Sequence, residues 1–427
     1  MTETTIPPCP QCGAALPPPA GFPQWCEACE WNLSHVETGV RPTALGRVYA
    51  RLGEHLGDAL FANVMRGEDL RPHRTWASSA ALMLAALIYV CAALFALGGV
   101  SLLWVGWPNP IAILIGAVLI GASWVARPRI ASAPANVLDR SQFPAMYALV
   151  DRVADALGAP RVAGVTVSAE FNAGVWQAGW RGDRYLEIGL PLYAVLTPQA
   201  RVAVLAHEFA HFVNGDPLRS RVLHNALRQL FLWIHLIRPD AIWDRSGSSN
   251  VGPFVALAMI PINIALMAVA LALTALGYAL VALVFRDSQR AEYLADRLAT
   301  QVSGAAAMQA SLEAMLKAES FEWVAHRYSN YRQPDQKLFD TLRAYVSNIP
   351  AREVERRHRL ARRLKSRVDD THPPTMARIE FVRVHGHHAA AITLSEEEVL
   401  HIDVELRPLE PEITQLLVSR YNEALWR

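Results

Sequence analysis

The sequence predicts a mainly α-helical, polytopic membrane protein with a small β-sheet and an N-terminal metal-binding module. Three observations lead to this fold class. Hydrophobic residues make up 52% of the 427 residues, and the mean hydropathy is positive, which is high for a soluble protein. Long uncharged runs lie at 77–107, 111–126 and 253–285, and the first and last are long enough to cross a bilayer. Four of the five cysteines form two Cys-x-x-Cys pairs near the N-terminus.

The N-terminal module, residues 1–38, is predicted to be a zinc ribbon. Thirteen residues separate its two cysteine pairs, a spacing typical of four thiolates around one structural zinc ion. The predicted ligands are Cys9, Cys12, Cys26 and Cys29. Reduced thiolates indicate the cytoplasm. Residues 1–40 contain four glutamates and no lysine or arginine, and the net charge of the chain is only +1. A nucleic-acid partner is therefore not expected, and a protein partner or a purely structural role is favoured.

Residues 39–76 are predicted to be an amphipathic helical linker, and residues 77–126 a transmembrane hairpin with a turn at 107–110. The turn of this hairpin carries no charge. Arginines flank the hairpin on both sides: Arg66, Arg71, Arg74, Arg127 and Arg129. By the positive-inside rule, both ends of the hairpin are expected in the cytoplasm.

The pattern most informative about chemistry is His207-Glu208-Phe209-Ala210-His211. It lies on a predicted helix that begins with Thr197 and Pro198, a capping residue and a first-turn proline. Histidines at i and i+4 share one helical face, so both can bind one zinc ion, and the glutamate between them can take a proton from zinc-bound water. The alternative is a helix that carries two surface histidines.

A catalytic zinc ion needs a third protein ligand, and a downstream helix offers one. Glu292 and Asp296 stand at i and i+4, so Glu292 can bind the metal while Asp296 orients a ligand histidine. The alternative is an exposed acidic face paired with Arg290 and Arg297.

These motifs resemble those of the HtpX-like membrane metalloproteases, which are gluzincins related to the CAAX prenyl proteases. The resemblance covers roughly residues 75–385 and rests on motifs in the family's order: His207 to His211, Asn214-Gly215-Asp216, Glu292 to Asp296, and Thr371-His372-Pro373-Pro374 with Arg378. It implies a zinc endopeptidase domain over residues 127–385. Its implied metal ligands are His207, His211 and Glu292.

The resemblance also implies roles for residues around the metal. Glu208 would be the general base and Asp296 the orienting carboxylate, while His372 and Arg378 would steady the oxyanion of the transition state. The segment Asn172-Ala173-Gly174 resembles the family's strand beside the active-site helix. An edge strand there can hold an extended substrate by β-augmentation, and a simple antiparallel meander over 161–190 is the alternative.

The membrane topology follows from the predicted metal site. If Glu292 and His207 bind one ion, the chain between them must cross the bilayer an even number of times. One crossing by 253–285 then requires another, near 218–237, although the arginines and histidines of that segment make it a poor lipid-facing helix. A re-entrant or kinked hairpin around Pro261 is the competing arrangement. Four spans are expected, with the 238–252 loop outside.

The sequence therefore predicts a multi-pass zinc endopeptidase of the cytoplasmic membrane, with its ribbon and catalytic domain facing the cytoplasm. It would hold one catalytic and one structural zinc ion, contact the lipid bilayer, and hydrolyse membrane or misfolded proteins. The alternatives are a non-catalytic zinc-bound scaffold that recruits partners through the ribbon, and a prenyl-protein protease. The arginine-rich residues 350–367 are expected either to touch anionic headgroups or to form a solvated helix. Residues 386–427 are expected to be a small helical or mixed tail.

Overall fold

The structure is a computed structural model. It describes residues 8–18, 21–33, 44–71, 76–125, 127, 130–214, 216–237, 253–331, 336–367, 370 and 372–425. Predictions that concern the 238–252 loop, Arg74, Arg129, Gly215 and Thr371 lie outside these residues.

The fold is mainly helical and contains one small sheet, as the sequence predicted. The helices before the sheet are α1 (Ala44–Met65), α2 (Trp76–Val105), α3 (Pro110–Val125) and α4 (Pro144–Leu157). Among the described residues, the next four helices follow the sheet, and the last of them contains the apolar run 253–285: α5 (Leu190–Val195), α6 (Pro198–Val213), α7 (Asp216–Ile237) and α8 (Pro253–Ser303). The remaining helices are α9 (Ala305–Met315), α10 (Ala318–Asn330), α11 (Leu338–Ser347), α12 (Ala351–Arg363), α13 (Thr375–His385), α14 (Glu396–Leu406), a 3₁₀ turn (Arg407–Leu409) and α15 (Glu410–Leu425).

The sheet contains β1 (Gly164–Ser168), β2 (Ala173–Ala178) and β3 (Asp183–Gly189), in the order β1-β3-β2. β3 pairs in parallel with β1 and antiparallel with β2, so the alternative of a simple antiparallel meander is wrong. The physical reason is burial: β1 is buried along most of its length, whereas β2 is only partly covered. β2 lies at one end of the order β1-β3-β2, so it is an edge strand with one side available for pairing.

The main hydrophobic core surrounds α6, which is buried along most of its length. Its N-terminus forms as the sequence predicted: the Thr197 hydroxyl accepts a hydrogen bond from the backbone N–H of Ala200, 3.3 Å away, and Pro198 occupies the first turn. A second apolar cluster lies between α2, α7 and α8. Both clusters include residues of α8, so this one helix joins the two parts of the molecule.

α8 continues for 51 residues and passes through Pro261 without a break. The re-entrant hairpin at Pro261 is therefore wrong. Among the described residues, two helices are long and apolar enough to cross a membrane, Trp76–Val105 and Met259–Ser303, and Pro110–Trp124 is a shorter apolar helix. α7 is not one of them, although it packs against α2 and α8, and the Tyr89 hydroxyl donates to the Val222 carbonyl at 2.7 Å. Four spans remain a prediction.

The C-terminal tail is part of the packed domain. The Glu405 carboxylate accepts the backbone N–H groups of Ala145 and Met146 at 2.7 and 2.9 Å, where a negative charge stabilises the N-terminus of α4. Arg201 of α6 pairs with Asp403 of α14 at 2.6 Å. The tail thus supports α6 from behind.

Candidate metal centre

The two histidines of α6 point to one place. His207 and His211 are one helical turn apart, and their Nε2 atoms lie 3.3 Å from each other. His207 is buried and His211 is partly exposed, so the pair lies at the base of an open site. The helix around them is almost entirely buried, which fixes the direction of both side chains.

α8 adds a carboxylate to this pair. The Glu292 Oε2 atom lies 3.5 Å from His207 Nε2, and its Oε1 atom lies 3.5 Å from His211 Nε2. A tetrahedral zinc ion with ligand distances of about 2.1 Å separates its ligands by about 3.4 Å. The three donor groups therefore match a zinc ion in both chemistry and spacing.

Asp296 lies behind the first histidine. Its side chain is fully buried, and its Oδ1 atom is 3.0 Å from His207 Nδ1. A proton held on Nδ1 leaves the Nε2 lone pair free to face the metal position. One turn of α8 thus supplies both a donor, Glu292, and the carboxylate that orients another donor.

The charges of the centre favour a cation. Burial disfavours the charged form of His207, but the carboxylates of Asp296 and Glu292 outweigh this effect and raise the pKa of His207 to about 9. Burial alone would also lower the pKa of Arg378, whereas Asp296 raises it above its usual range. The two buried carboxylates thus outweigh the positive charge of Arg378 at His207 and favour a cation at the donor atoms.

The structure brings Arg378 to the centre, at the wall of the cleft, where it is already paired with acidic side chains. Its Nε and Nη2 atoms donate to Asp296 at 2.9 and 2.6 Å, and its Nη1 atom is 3.6 Å from Glu292 Oε2. Only 10% of the side chain is exposed. The expected contact with an oxyanion would therefore compete with a two-pronged ion pair that is already formed.

His372 lies just before α13 and faces the cleft. Its Nδ1 atom is 2.6 Å from Glu292 Oε2, and its side chain is 47% exposed. His207, Glu292 and His372 together form a group that can hold a metal ion. A separation of 2.6 Å is a hydrogen bond, however, and is shorter than the spacing of two ligands on one zinc ion. We therefore interpret His372 as a neighbour of the ligands.

A cleft of about 400 Å³ opens over these residues. Glu208, His372 and Arg378 line it together with His207, and Phe171, Asn172 and Ala173 line the side next to β2. Gly174 belongs to β2 and pairs with Glu187. The cleft thus runs from the edge strand to the donor atoms.

Sequence reasoning missed the apolar wall of this cleft, to which α5, α6 and α9 contribute: Leu192, Val204, Met308, Leu312 and Met315. The spacing of Met308, Leu312 and Met315 is helical and does predict an apolar face. It does not reveal that this face borders a site, because a core face has the same pattern.

The four ribbon cysteines form a second centre. The Sγ atoms of Cys9 and Cys29 are 3.6 Å apart, as are those of Cys12 and Cys26, and all four sulfur atoms lie within 4.8 Å of one another. A disulfide would bring two sulfur atoms to about 2.05 Å. Four thiolates on zinc, at about 2.3 Å from the ion, lie about 3.8 Å apart, so the spacing fits a structural zinc site.

Residues 141–385 match the family model described as Peptidase family M48. The chain belongs to peptidase family M48. The matched region begins at α4 and ends with α13, so it contains all the residues of the centre, from His207 to Arg378. The resemblance to HtpX-like proteases that the motifs predicted is confirmed.

Several curated relatives of this M48 chain are HtpX proteases. The chain is 24% identical to protease HtpX of Pseudomonas putida (strain W619) over 227 residues, which cover 52% of this chain and 65% of the relative. It is 25% identical to protease HtpX of Pseudomonas aeruginosa (strain LESB58) over 224 residues, 51% of this chain and 65% of the relative. For protease HtpX of Stutzerimonas stutzeri (strain A1501), the identity is 25% over 160 residues, 36% of this chain and 51% of the relative. The chain thus spans between about half and two thirds of the length of these relatives. No solved structure matches the chain.

Proposed function

We propose that this M48 protein is a membrane zinc endopeptidase that hydrolyses peptide bonds in the cleft between β2 and α6. One observation carries the proposal. The two histidine Nε2 atoms of His207 and His211 lie 3.3 Å apart, and each lies 3.5 Å from one carboxylate oxygen of Glu292, in a cleft that Glu208 also lines. This is the donor set and the open position that a catalytic zinc ion needs.

When bound, zinc would supply a Lewis acid that polarises the peptide carbonyl and acidifies a water molecule. Glu208 then accepts the proton of that water and passes it to the leaving amine nitrogen. His372, half exposed across the cleft, donates a hydrogen bond to the developing oxyanion through the ring nitrogen that does not contact Glu292. Asp296 and Arg378 act as positioning residues, because Asp296 contacts His207 and Arg378 contacts both Asp296 and Glu292.

The substrate is an extended peptide. β2 is an edge strand, so a peptide can add to it with its backbone groups paired and its side chains alternating between the two faces. Asn172, Ala173 and Gly174 would guide it toward the donor atoms. The apolar wall from α5 and α9 favours a large apolar side chain next to the scissile bond.

The membrane limits which peptides reach this cleft. Phe285 is the last residue of the apolar run of α8, and Glu292 follows seven residues later on the same helix. At 1.5 Å per residue, the donor atoms lie only about 10 Å along the helix from the apolar segment. Membrane proteins and unassembled chains that emerge from the bilayer therefore suit the site, on the cytoplasmic side where the ribbon thiolates stay reduced.

The experiment compares Glu208→Gln with Glu313→Gln, an exposed glutamate of α9, in the full chain reconstituted with lipid. Glu208→Gln should lower hydrolysis of an unfolded membrane-protein substrate by at least about 100-fold, since the general base is lost. Elemental analysis should find two zinc ions in both variants, one in the ribbon and one at α6.

Glu313→Gln should cleave like the parent. A Glu208→Gln protein that cleaves as fast as the parent would refute the assignment, and a single zinc ion per chain would refute the two-site version. Loss of parental cleavage on chelation separates the peptidase from the non-catalytic scaffold.

A further inference from the structure

The zinc ribbon lies against α12. Trp25 of the ribbon is only 1% exposed, and the guanidinium groups of Arg352 and Arg359 each lie 5.0 Å from the centre of its ring. Arg352 also donates to the Glu27 carboxylate at 2.8 Å and to the carbonyl of Trp25. Stacking and charge thus act at one contact.

The contact continues along the helix. Arg356 donates to the Leu33 carbonyl at 3.1 Å, Arg359 donates to the Glu27 carbonyl at 2.8 Å, and Arg363 pairs with Glu30. The four arginines, Arg352, Arg356, Arg359 and Arg363, have the spacing of one helical stripe. This stripe faces the acidic ribbon, so neither anionic headgroups nor solvent is its main partner.

The opposite side of α12 contacts the region after α9. Within the helix, the buried Glu353 accepts hydrogen bonds from Arg356 and Arg357 at 2.7 and 2.8 Å, which holds both arginines in place. Arg357 also reaches the Leu316 carbonyl after α9, at 3.4 Å. α12 is therefore held between the ribbon on one side and the domain that contains the metal centre on the other.

The chain leads directly from α12 to His372. On the way, Lys365 pairs with Glu54 and Asp58 of α1 at 3.6 and 3.5 Å, and Ser366 packs closely against Gly57. Gln289 of α8 donates to the Asp370 carbonyl at 3.3 Å. The chain that leads to His372 therefore begins at the end of α12 and is anchored to α1 and α8 on its way.

We propose that the partner of the ribbon is this chain's own α12, and that the zinc-loaded ribbon is a clamp that holds α12 and the His372 segment in place. Loss of the ribbon zinc would then loosen α12 and lower hydrolysis while the ligands on α6 and α8 stay in place. The docking contact stands on geometry alone, whereas its effect on hydrolysis rests on the proposed function of His372.

The test uses charge reversal in the full chain, with hydrogen–deuterium exchange as the readout. Glu27→Arg with Glu30→Arg should speed amide exchange in residues 351–363 by about tenfold, since opening of a docked helix governs its exchange. Adding Arg352→Glu and Arg363→Glu should restore slow exchange in part, because Arg359 keeps its positive charge near position 30. Glu322→Arg, an exposed glutamate of α10, is the control and should change nothing.

Removal of the ribbon zinc gives the second arm. Cys12→Ser should speed exchange in the same segment and leave the α6 zinc bound, as elemental analysis would show. Unchanged exchange in both the Glu27→Arg/Glu30→Arg protein and the Cys12→Ser protein would overturn the proposal. So would a variant with all four substitutions that exchanges as fast as the Glu27→Arg/Glu30→Arg protein.

Hydrolysis is measured in the same proteins. The Glu27→Arg/Glu30→Arg protein should cleave more slowly than the parent, and the variant with all four substitutions should regain part of the parental rate. Faster exchange with unchanged cleavage would show that docking of the ribbon on α12 does not position His372 for hydrolysis. An inactive parent would instead refute the proposed function and leave the exchange result to judge the docking.

Discussion

At the residue scale, the proposed metal centre has a layer of side chains behind its donor groups. Arg378 binds Asp296 with two nitrogens at 2.9 and 2.6 Å, and Asp296 in turn meets His207 at 3.0 Å. A guanidinium holds a carboxylate in one plane, whereas an ammonium group cannot. The orientation of His207 is therefore set by Asp296 and, behind it, by Arg378.

Replacing Arg378 with lysine tests this chain of contacts. Arg378→Lys keeps the positive charge and loses the fork, so zinc affinity and hydrolysis should fall by about 10- to 100-fold. Zinc titration and cleavage rates provide the measurements. Arg383→Lys is the matched control, since Arg383 lies on the same helix and pairs with Glu380 at the surface. Equal behaviour of the two variants would mean that Arg378 does not position the site.

The buried carboxylate of Glu353 predicts how the stability of the protein changes at acidic pH. Burial alone would raise its pKa, but hydrogen bonds from Arg356 and Arg357 lower it below the usual value. Its stabilising effect is therefore complete above the unfolded pKa of about 4.3 and is lost as the pH falls through the lower, folded pKa.

Thermal unfolding of Glu353→Gln and the parent measures this effect. At pH 7 the variant should be less stable by about 3 kcal/mol, because two buried arginines lose their partner. Below about pH 4 the difference should shrink as the parent's carboxylate takes up a proton. Glu322→Gln, an exposed substitution, should match the parent throughout. A Glu353→Gln deficit that does not change with pH would contradict the assigned ion pair.

The sequence was informative about these residues where spacing along a helix decides the geometry. Histidines at i and i+4 in α6, and carboxylates at i and i+4 in α8, share a face whatever surrounds them. The partner of Arg378 and the bond between His372 and Glu292 could not be predicted, because each joins residues about 80 positions apart. Such contacts depend on how α13 packs against α8.

At the scale of elements, α8 is the most consequential helix. The sequence predicted an apolar run at 253–285 and, separately, a helical face with Glu292 and Asp296. The structure joins them in one helix of 51 residues, about 76 Å long at 1.5 Å per residue. The charged residues after Phe285 resemble the end of a transmembrane helix in the sequence. The segment from there to Ser303 has no glycine or proline, however, so nothing in it ends the helix.

The α2–α3 hairpin depends on close contact between small residues. A side chain at Gly99 would begin 2.6 Å from Ile120 Cγ1 and 2.8 Å from the Gly116 carbonyl oxygen. Gly99→Leu should therefore separate the two helices and cost about 1 to 3 kcal/mol. The neighbouring Gly98 has no atom within 4 Å of that position, so Gly98→Leu is the control. Thermal unfolding in detergent compares them, and equal midpoints would show that α2 and α3 do not pack this way.

At the scale of the whole molecule, the chain joins a ribbon, a peptidase domain and an apolar bundle. Composition and cysteine spacing predicted that these parts exist. Their docking could not be predicted, because the chain has 40 lysines and arginines and 39 acidic residues, which allow a very large number of pairings. Only folded surfaces show that Arg352 meets Glu27 or that Arg201 meets Asp403.

The orientation of this assembly is the last prediction. Both the ribbon and the metal centre should face the cytoplasm, because the arginines flanking the apolar runs and the reduced thiolates agree on that side. α7 has 22 residues, about 33 Å, which is long enough to cross beside α2 and α8 despite its polar side chains. Crossings by both α7 and α8 return the chain to the side of His207.

Single cysteines at Asn109, Ser248 and Ser288, in a chain that carries Cys91→Ala, test this topology with an impermeant thiol reagent on intact cells. Asn109→Cys and Ser248→Cys should react, and Ser288→Cys should react only after the cells are opened, beyond any labelling of the Cys91→Ala parent with its ribbon cysteines. Protection of Ser248 with labelling of Asn109 would mean that α7 and α8 do not both cross. Labelling of Ser288→Cys in intact cells would mean that the orientation is the opposite of the predicted one. The metal centre would then lie outside, where a reduced four-thiolate ribbon is not expected.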